Sequence, residues 1–286
     1  MMKKVILCPN PSRDIGFELT SHVYGMLTGL GVHCAVCLMS DMPLAAGSCP
    51  LPVSDIQSEI SGADMLVSFG GDGTILHTAR AAACCGTPIL GVNLGKKGFM
   101  ADLEKEDIRF IEKVVLGDFH IDRRMMLNVA VERAGRNIYS DYALNDVVVS
   151  GVAHMIDITV FGDGQRMTSF AGDGIVIATP TGSTAYSMSA GGPIVEPAAE
   201  NIIITPVCAH VLIAKSFVLA PDRAVTVEMG RLGRKSAYLT ADGNAAVTLQ
   251  TGDIVAVSRS QYVTNLIKVS DRSFYKIVSE KLGEKL

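Results

Sequence analysis

Charged residues are scarce in this 286-residue chain: Asp, Glu, Lys and Arg together make up 19%, against roughly 25% in an average soluble domain. So little charge predicts that part of the surface is covered by other subunits. The formal net charge is −4 and the pI about 5.9, and no run of Lys or Arg occurs. A nucleic-acid partner normally leaves a basic stripe, so that class is set aside. No apolar run reaches the ~18 residues of a membrane span. The opening Met1-Met2-Lys3-Lys4-Val5-Ile6-Leu7-Cys8-Pro9 carries two lysines, but its apolar run stops at Pro9, too early for the core of a signal peptide. The expected setting is cytoplasmic, with no membrane and no nucleic acid. Seven cysteines are present, an odd number, and Cys34 and Cys37 form a CxxC. No second pair or His pair stands at zinc spacing. The thiols are expected to be reduced and packed as small hydrophobes, and no metal site is predicted.

Apolar material is plentiful, at 48% hydrophobic residues and a mean hydropathy of +0.32. A chain this long and apolar can bury a full core and is globular; its length suits one large or two ordinary domains. The first part alternates strand and helix patterns. Strand-like runs lie at 5–8, 32–38, 65–69 and 88–92. Ile15, Leu19, Val23, Met26, Leu27 and Leu30 recur at helical spacing, as does 75–85, and Ile108, Ile111, Val114 and Val115 share one helix face. Such alternation predicts a parallel sheet with helices on its faces.

After Gly117 the texture changes. Runs at 129–131, 142–149, 156–161, 174–179, 201–207, 224–229, 237–240 and 253–258 read as strands, separated by Gly, Asn and Asp clusters. That is the pattern of a β sandwich or closed sheet. A helical pattern at 274–282 ends the chain. The expected organisation is an α/β domain with a parallel sheet over residues 1–120 and a β-rich domain over 121–286. The tail from about 260 to 286 is a candidate to pack back on the first domain.

Three stretches carry chemistry. The first is Phe69-Gly70-Gly71-Asp72-Gly73-Thr74-Ile75-Leu76-His77, which follows a buried strand and opens a helix. Glycines there let backbone N–H groups approach a phosphate, and a helix N-terminus favours anions. The loop lacks the GxxxxGK of a Walker A site. A carboxylate beside phosphates repels them, so Asp72 suits handling a hydroxyl or a cation; an ordinary Asx-capped turn is the competing reading. The second is the low-charge, hydroxyl-rich run from Gly172-Asp173-Gly174 through Thr179-Pro180-Thr181-Gly182-Ser183-Thr184-Ala185-Tyr186-Ser187-Met188-Ser189 to Gly191-Gly192. Such a loop can approach a flat ring closely. The third is Leu144-Asn145-Asp146-Val147, an Asn-Asp pair inside a strand-like run. Asp146 there can accept ribose hydroxyls, as acidic residues do in dinucleotide folds; a local turn is the alternative.

Together these stretches resemble the NAD kinase family. The sequence shows GGDGT at 70–74, an NxGxxGF run at 93–99, the Asn145-Asp146 pair and a GDGxxxxTPTGSTAYxxSAGGP run at 172–193, in that order. The resemblance runs from about residue 2 to the C-terminus. GGDGT also occurs in lipid kinases of the diacylglycerol and sphingosine type; the TPTGSTAY run and the Asn-Asp pair point to NAD. The family implies the two domains above, a cleft between them, and a homo-oligomer, dimer or tetramer, with a tetramer built through the second domain favoured. It implies transfer of the γ-phosphoryl group of ATP, or of another donor such as polyphosphate, to the adenosine 2′-hydroxyl of NAD to give NADP, with Mg²⁺ arriving on the nucleotide. Asp72 would be the base, and Gly70, Gly71 and Thr74 the phosphate cradle. Gly73, His77, Asn145, Asp146, His154, Asp173, Thr184, Ala185, Tyr186, Ser187, Met188, Ser189 and Asn244 would contact NAD. Residues around His154 and Asp173 would serve a neighbouring subunit's site. One departure is Ala171, where many bacterial members carry Arg. The alternatives are a lipid kinase, which needs an acyl pocket, and a non-catalytic dinucleotide sensor, which has no use for Asp72.

Overall fold

The structure, a computed structural model, describes residues 2–38, 49–95, 98–210, 215–270 and 272–283; Lys96 and Lys97 of the NxGxxGF run lie outside them. The chain forms two compact units, Met1–Arg123 with Thr264–Leu286, and Arg124–Val263. No helix among the described residues is long and apolar enough to cross a membrane.

The first unit contains β1 (Lys4–Pro9), α1 (Glu18–Gly29), β2 (His33–Val36), α2 (Ile56–Glu59), β3 (Met65–Gly70), α3 (Asp72–Ala82), β4 (Ile89–Asn93), β5 (Leu103–Glu104) and α4 (Phe110–Leu116). Its sheet is parallel, in the order β2-β1-β3-β4, with Lys4 opposite His33, Val5 opposite Met65 and Leu66 opposite Ile89. Val5, Ile6, Leu7 and Cys8 of β1 are inaccessible to solvent, as are Met65, Leu66, Val67 and Phe69 of β3. Strands covered on both faces must be apolar at every position, which is why they read as continuous runs rather than alternations. The winding starts at β1, passes through α1 to β2 on one side, then returns to place β3 on the other. Such a reversal leaves a crevice beyond the carboxyl ends of β1 and β3, where open α/β sheets bind ligands.

The second unit holds β6 (His120–Arg133, from Arg124 on), β7 (Arg136–Ala143), β8 (Asp146–Val152), β9 (Ile156–Gly162), β10 (Gln165–Gly172), β11 (Gly174–Ala178), α5 (Tyr186–Ser189), β12 (Ile202–Val207), β13 (Phe217–Leu219), β14 (Val225–Met229), β15 (Ser236–Ala241), β16 (Val247–Leu249) and β17 (Ile254–Lys268, to Val263). One layer runs β10-β9-β14-β17-β6-β7 and the other β13-β12-β11-β8-β15-β16. Leu127, Val129, Val131 and Val227 from the first face Val149, Ile175, Ile177, Ile204 and Leu239 from the second in one buried core. The alternate residues of the second layer, Val148, Val176, Ala178 and Ile203, form another apolar patch against Val195 and Val207. The fold is therefore an α/β unit with a parallel sheet and a β-rich sandwich unit. The chain ends in the first unit: Leu266 pairs with Ile89, α6 (Phe274–Gly283) follows, and Lys281 Nζ sits 4.1 Å above the Phe99 ring.

The local readings differ from this structure in several places. Residues 142–149 are not one strand; β7 stops at Ala143 and β8 starts at Asp146, because the intervening N–H groups are taken by a side chain described below. α3 begins at Asp72, not at 75. β10, β13 and β16 carry weak apolar alternation and were not expected, and β17 runs 15 residues through the polar stretch Ser258-Arg259-Ser260-Gln261. Burial pushes the Cys34 thiol up to about 11 and the Cys37 thiol to about 12, as expected of packed thiols, but Cys84, Cys85 and Cys208 are exposed.

Candidate active site

The crevice at the winding reversal is built from the ends of β1 and β3. At Gly70 a Cβ would overlap Thr74 Oγ1, so only glycine lets α3 begin this close to the strand. Asn10 ties the two strand ends together: its N–H donates to Phe69 O (2.9 Å) and its Nδ2 to Thr74 Oγ1 (3.2 Å). Gly71 caps α3 with no side-chain acceptor; Thr74 and Ile75 donate their N–H groups to Gly71 O (2.9 and 3.2 Å), and the N–H groups ahead of them, on Asp72 and Gly73, lack intrahelical partners. Nothing lies within 4 Å of where a Cβ would stand at Gly71 or Gly73. The open space is a cavity of about 280 Å³ lined by Pro9, Asn10, Arg13, Gly71, Gly73, Thr74 and His77. Arg13 is exposed, and its guanidinium has no ion pair among the described residues. Bare helix N–H groups, an open floor and a free guanidinium form a site for an anion. Sequence reading missed Asn10 and Arg13, because nothing local marks them; the fold carries them to GGDGT.

Asp72, half-buried, points at the NxGxxGF run. Its Oδ2 accepts the Phe99 N–H (2.8 Å) and its Oδ1 the Met100 N–H (3.2 Å). A Cβ at Gly98 would overlap this carboxylate. Among the described residues, the backbone fixes the aspartate and no cation is paired with it. A carboxylate has about four lone-pair sites, so each oxygen keeps one free for a proton. Asn93 starts the same loop, accepting the Gly95 N–H at Oδ1 (3.1 Å) and donating to Glu104 (2.8 Å).

In the second unit the Asn-Asp pair sits at the junction of β7 and β8. Asp242, in the turn after β15, accepts N–H groups from Leu144 (2.6 Å), Asn145 (2.7 Å) and Asp146 (3.1 Å). Both side chains of the pair are buried, Asn145 at 9% and Asp146 at 6% exposure. Asn145 Oδ1 is buried and has no hydrogen-bond partner, a costly state for a polar atom. Burial, reinforced by the charge of Asp242, pushes the Asp146 carboxyl up to about 7. The Thr-Pro-Thr-Gly-Ser-Thr segment is built onto this turn. Thr179 donates its N–H to Asn145 O (2.9 Å) and its Oγ1 to Leu144 O (2.6 Å), and accepts the Gly182 N–H (3.0 Å). Thr181 Oγ1 accepts from the buried Arg124 guanidinium (3.2 Å). Asn244 lies on the same turn as Asp242, with its Nδ2 on Ala241 O (2.9 Å).

The hydroxyls of the long loop divide by direction. Ser187 is wholly buried, with Oγ 3.0 Å from Thr205 Oγ1, and Thr184 Oγ1 donates to Thr181 O (3.1 Å). These two hold the loop. Ala185 and Met188 are half-buried, and Tyr186 and Ser189 face solvent. His154 and Asp173, both exposed, are not brought to the turn. On the β8–β11 pair Asp146 stands opposite Ala178, whereas Ser150 stands opposite Gly174, four residues or about 13 Å away; Asp173 and the turn with His154, which leads from β8 to β9 in the other layer, lie beyond that far end.

A methyl group at Gly182 would overlap Asn145 O. Gly182→Ala should therefore destabilise the protein by about 1–3 kcal/mol, the usual cost of overpacking, and accelerate hydrogen exchange at 144–146. Urea unfolding and exchange mass spectrometry check both; an unchanged midpoint would mean that the loop and the turn are not built together.

Comparison with known proteins follows the same lines. Residues 53–119 match the ATP-NAD kinase N-terminal domain and residues 144–269 the ATP-NAD kinase C-terminal domain. The NAD kinase of Natranaerobius thermophilus is 38% identical over 285 residues, 98% of each chain. An Archaeoglobus fulgidus NAD kinase, solved in complex with ATP, superposes with a TM-score of 0.75 at 25% identity, covering 96% of this chain and 99% of that one. The yeast NADH kinase complexed with NADH shares the fold, with a TM-score of 0.86 at 24% identity over 99% of this chain and 88% of that one. With both family domains present in order and a relative similar along almost its whole length, this chain belongs to the NAD kinase family and is a phosphotransferase.

Proposed function

We propose that the chain transfers the γ-phosphoryl group of ATP to the adenosine 2′-hydroxyl of NAD, giving NADP and ADP. The observation that carries the residue assignment is the setting of Asp72: a carboxylate fixed by two backbone N–H groups, with lone pairs to spare, beside an open glycine cradle. The new O2′–Pγ bond forms as the bond from Pγ to the β-phosphate oxygen breaks, and Asp72 takes the hydroxyl proton. In a loose transition state that proton leaves late, so positioning and charge neutralisation dominate. The backbone of Gly70, Gly71 and Thr74 would face the donor phosphates, with Arg13 as the cation over them. Gly73 and His77 line the same rim. Asn145 and Asp146 would hold adenine and ribose groups, and the buried, unpartnered Asn145 Oδ1 is an acceptor waiting for such a donor. Tyr186, Ser189 and the half-buried Thr184, Ala185, Met188 and Asn244 complete the face offered to NAD, while Ser187 supports it from within.

No group of three or more His, Cys, Asp or Glu side chains among the described residues could hold a metal ion. We assign Mg²⁺ to the donor, as the magnesium–ATP complex, where phosphate oxygens and water fill its octahedral shell and the metal offsets phosphate charge.

Asp72→Asn should lower kcat by about 10²–10⁴, the usual worth of a general base, with NAD affinity nearly unchanged. The check is NADP formation from NAD, ATP and Mg²⁺, followed with an NADP-specific dehydrogenase; near-full kcat would remove Asp72 from the role. In the same assay Arg13→Ala should raise KM for ATP by about tenfold or more, as expected for losing a charged hydrogen-bond partner, and leave KM for NAD alone. A change confined to NAD would move Arg13 to the acceptor side.

We further propose that the enzyme is a homo-oligomer, dimer or tetramer, in which His154 and Asp173 serve a neighbouring subunit. The scarcity of charge supports burial between chains, and the separation of these residues from Asn145-Asp146 on one strand pair supports a second user for them. Light scattering during dilution, paired with activity at each concentration, should show both falling together. A fully active monomer would end this proposal.

A further inference from the structure

We infer that Asp242 is a positioning residue for NAD recognition: by accepting three backbone N–H groups its carboxylate fixes where Asn145 and Asp146 point. This rests on the reading of the Asn145-Asp146 turn as the NAD-binding element. An Asp before Gly in a turn ordinarily serves its own turn. Asp242 instead reaches back 96–98 residues along the chain, and two of its three contacts, at 2.6 and 2.7 Å, are short, as charge-assisted bonds are. Its own N–H donates to Asp146 O (2.9 Å), so the two segments are tied in both directions. Asp242 adopts φ 50° and Gly243 φ 71°, both left-handed. A non-glycine residue holds that conformation only where surrounding contacts fix it.

The consequences appear at both recognition residues. Asn145 is pinned by its N–H on Asp242 and its carbonyl on the Thr179 N–H, and its Oδ1 is left buried without a donor. A polar atom held in that state is paired when a ligand arrives, so the turn is prearranged rather than shaped by NAD. Asp146 lies buried next to the Asp242 charge. The other charged groups around the turn are Asp141, which faces Asp242 and accepts Tyr139 Oη–H (2.6 Å), and Arg124, on Thr181 Oγ1. Burial pushes Asp242 itself up and its three N–H donors pull it down. In the free enzyme Asp146 therefore titrates near neutrality, and kcat/KM for NAD should fall as pH drops through that range, because a protonated carboxyl accepts ribose hydroxyls poorly.

The test is Asp242→Asn, which keeps the shape, turns one acceptor oxygen into an NH₂ and removes the charge. KM for NAD should rise at least tenfold with KM for ATP within about twofold. The midpoint of the pH dependence of kcat/KM for NAD should move to lower pH, since Asp146 loses a repelling neighbour. Asp146→Asn is run beside it and should abolish that midpoint. If Asp146→Asn changes neither NAD affinity nor the pH profile, the reading of the turn as the NAD element is what fails. If Asp146→Asn acts as expected and Asp242→Asn leaves KM for NAD unchanged, or leaves the midpoint in place, or weakens NAD and ATP equally with a drop in Tm, the positioning role is overturned. Hydrogen exchange on the wild-type enzyme needs no variant: amides 144–146 should be protected without NAD, and protection that appears only on adding NAD would also overturn the proposal.

Discussion

The reversal of winding at β1 is the constraint on which the rest of the first unit depends. A parallel strand can be followed on only one side by the next crossover, so a chain that places β2 on one flank of β1 and β3 on the other must leave a gap between the loops at their carboxyl ends. Here that gap receives Asn10 and Arg13 from the segment after β1, and Gly71, Gly73, Thr74 and His77 from the segment after β3. The interior strands have no freedom to move, because Phe69, Leu7 and Val67 are fully buried. The glycines are needed at the one point where strand must become helix without room for a side chain, at Gly70 against Thr74. The chemistry of the site is thus a consequence of topology first and of residue identity second.

A second regularity concerns how a chain with little charge uses its acids. Asp14 accepts the N–H groups of Leu19 and Thr20 at the start of α1. Asp64 accepts those of Lys3 and Lys4, and Asp102 those of Val269 and Ser270 while Lys268 stands 3.4 Å away. Asp72 and Asp242 do the same for 99–100 and 144–146. Each is a charged acceptor on neutral donors, stronger than a neutral hydrogen bond and fixed in direction. All but Asp14 join segments distant in sequence: Asp102 fastens the returning tail, Asp72 fastens the NxGxxGF loop. Asp72, a site candidate in sequence, is a member of this larger set. What separates Asp72 is the open glycine cradle on either side of it; Asp146 and Asp242 stand apart together, each opposed by burial and by a like neighbour.

This accounts for what the sequence made legible. Strands covered on both faces, such as β1, β3 and β4, announce themselves as apolar runs, and Asp72 and the Asn145-Asp146 pair stand out as polar residues where an element should continue. β10 and the later half of β17 are paired by neighbours rather than by their own pattern, so nothing in their composition marks them. The break at 144–145 was invisible for the same reason: its cause is Asp242, nearly a hundred residues away, and a DG dipeptide reads locally as a turn and nothing more. Arg13 is an exposed residue after a proline and an asparagine until β3 is placed beside β1. Ser187 reads as one more hydroxyl in a polar loop, and only the position of Thr205 on β12 turns it inward.

The two carboxylates central to the reading are held in different ways, and the difference fits their tasks. In the proposed reaction Asp72 accepts a proton, and the two N–H groups that orient it belong to a loop with its own supports. Asn93 closes the start of that loop, Gly98 makes room under the carboxylate, and the Phe99 ring lies below Lys281 of α6. Lys281 of α6 thus packs on the residue whose N–H orients Asp72. In the proposed reaction Asp146 recognises rather than reacts, and it is buried in a turn where the N–H groups of 144–146 are all taken by Asp242. A recognition residue held this way has no backbone freedom left to lose when substrate binds, which lowers the entropic cost of association. It meets that substrate poised between charge states, because burial and Asp242 oppose the ionised form that the sugar hydroxyls favour.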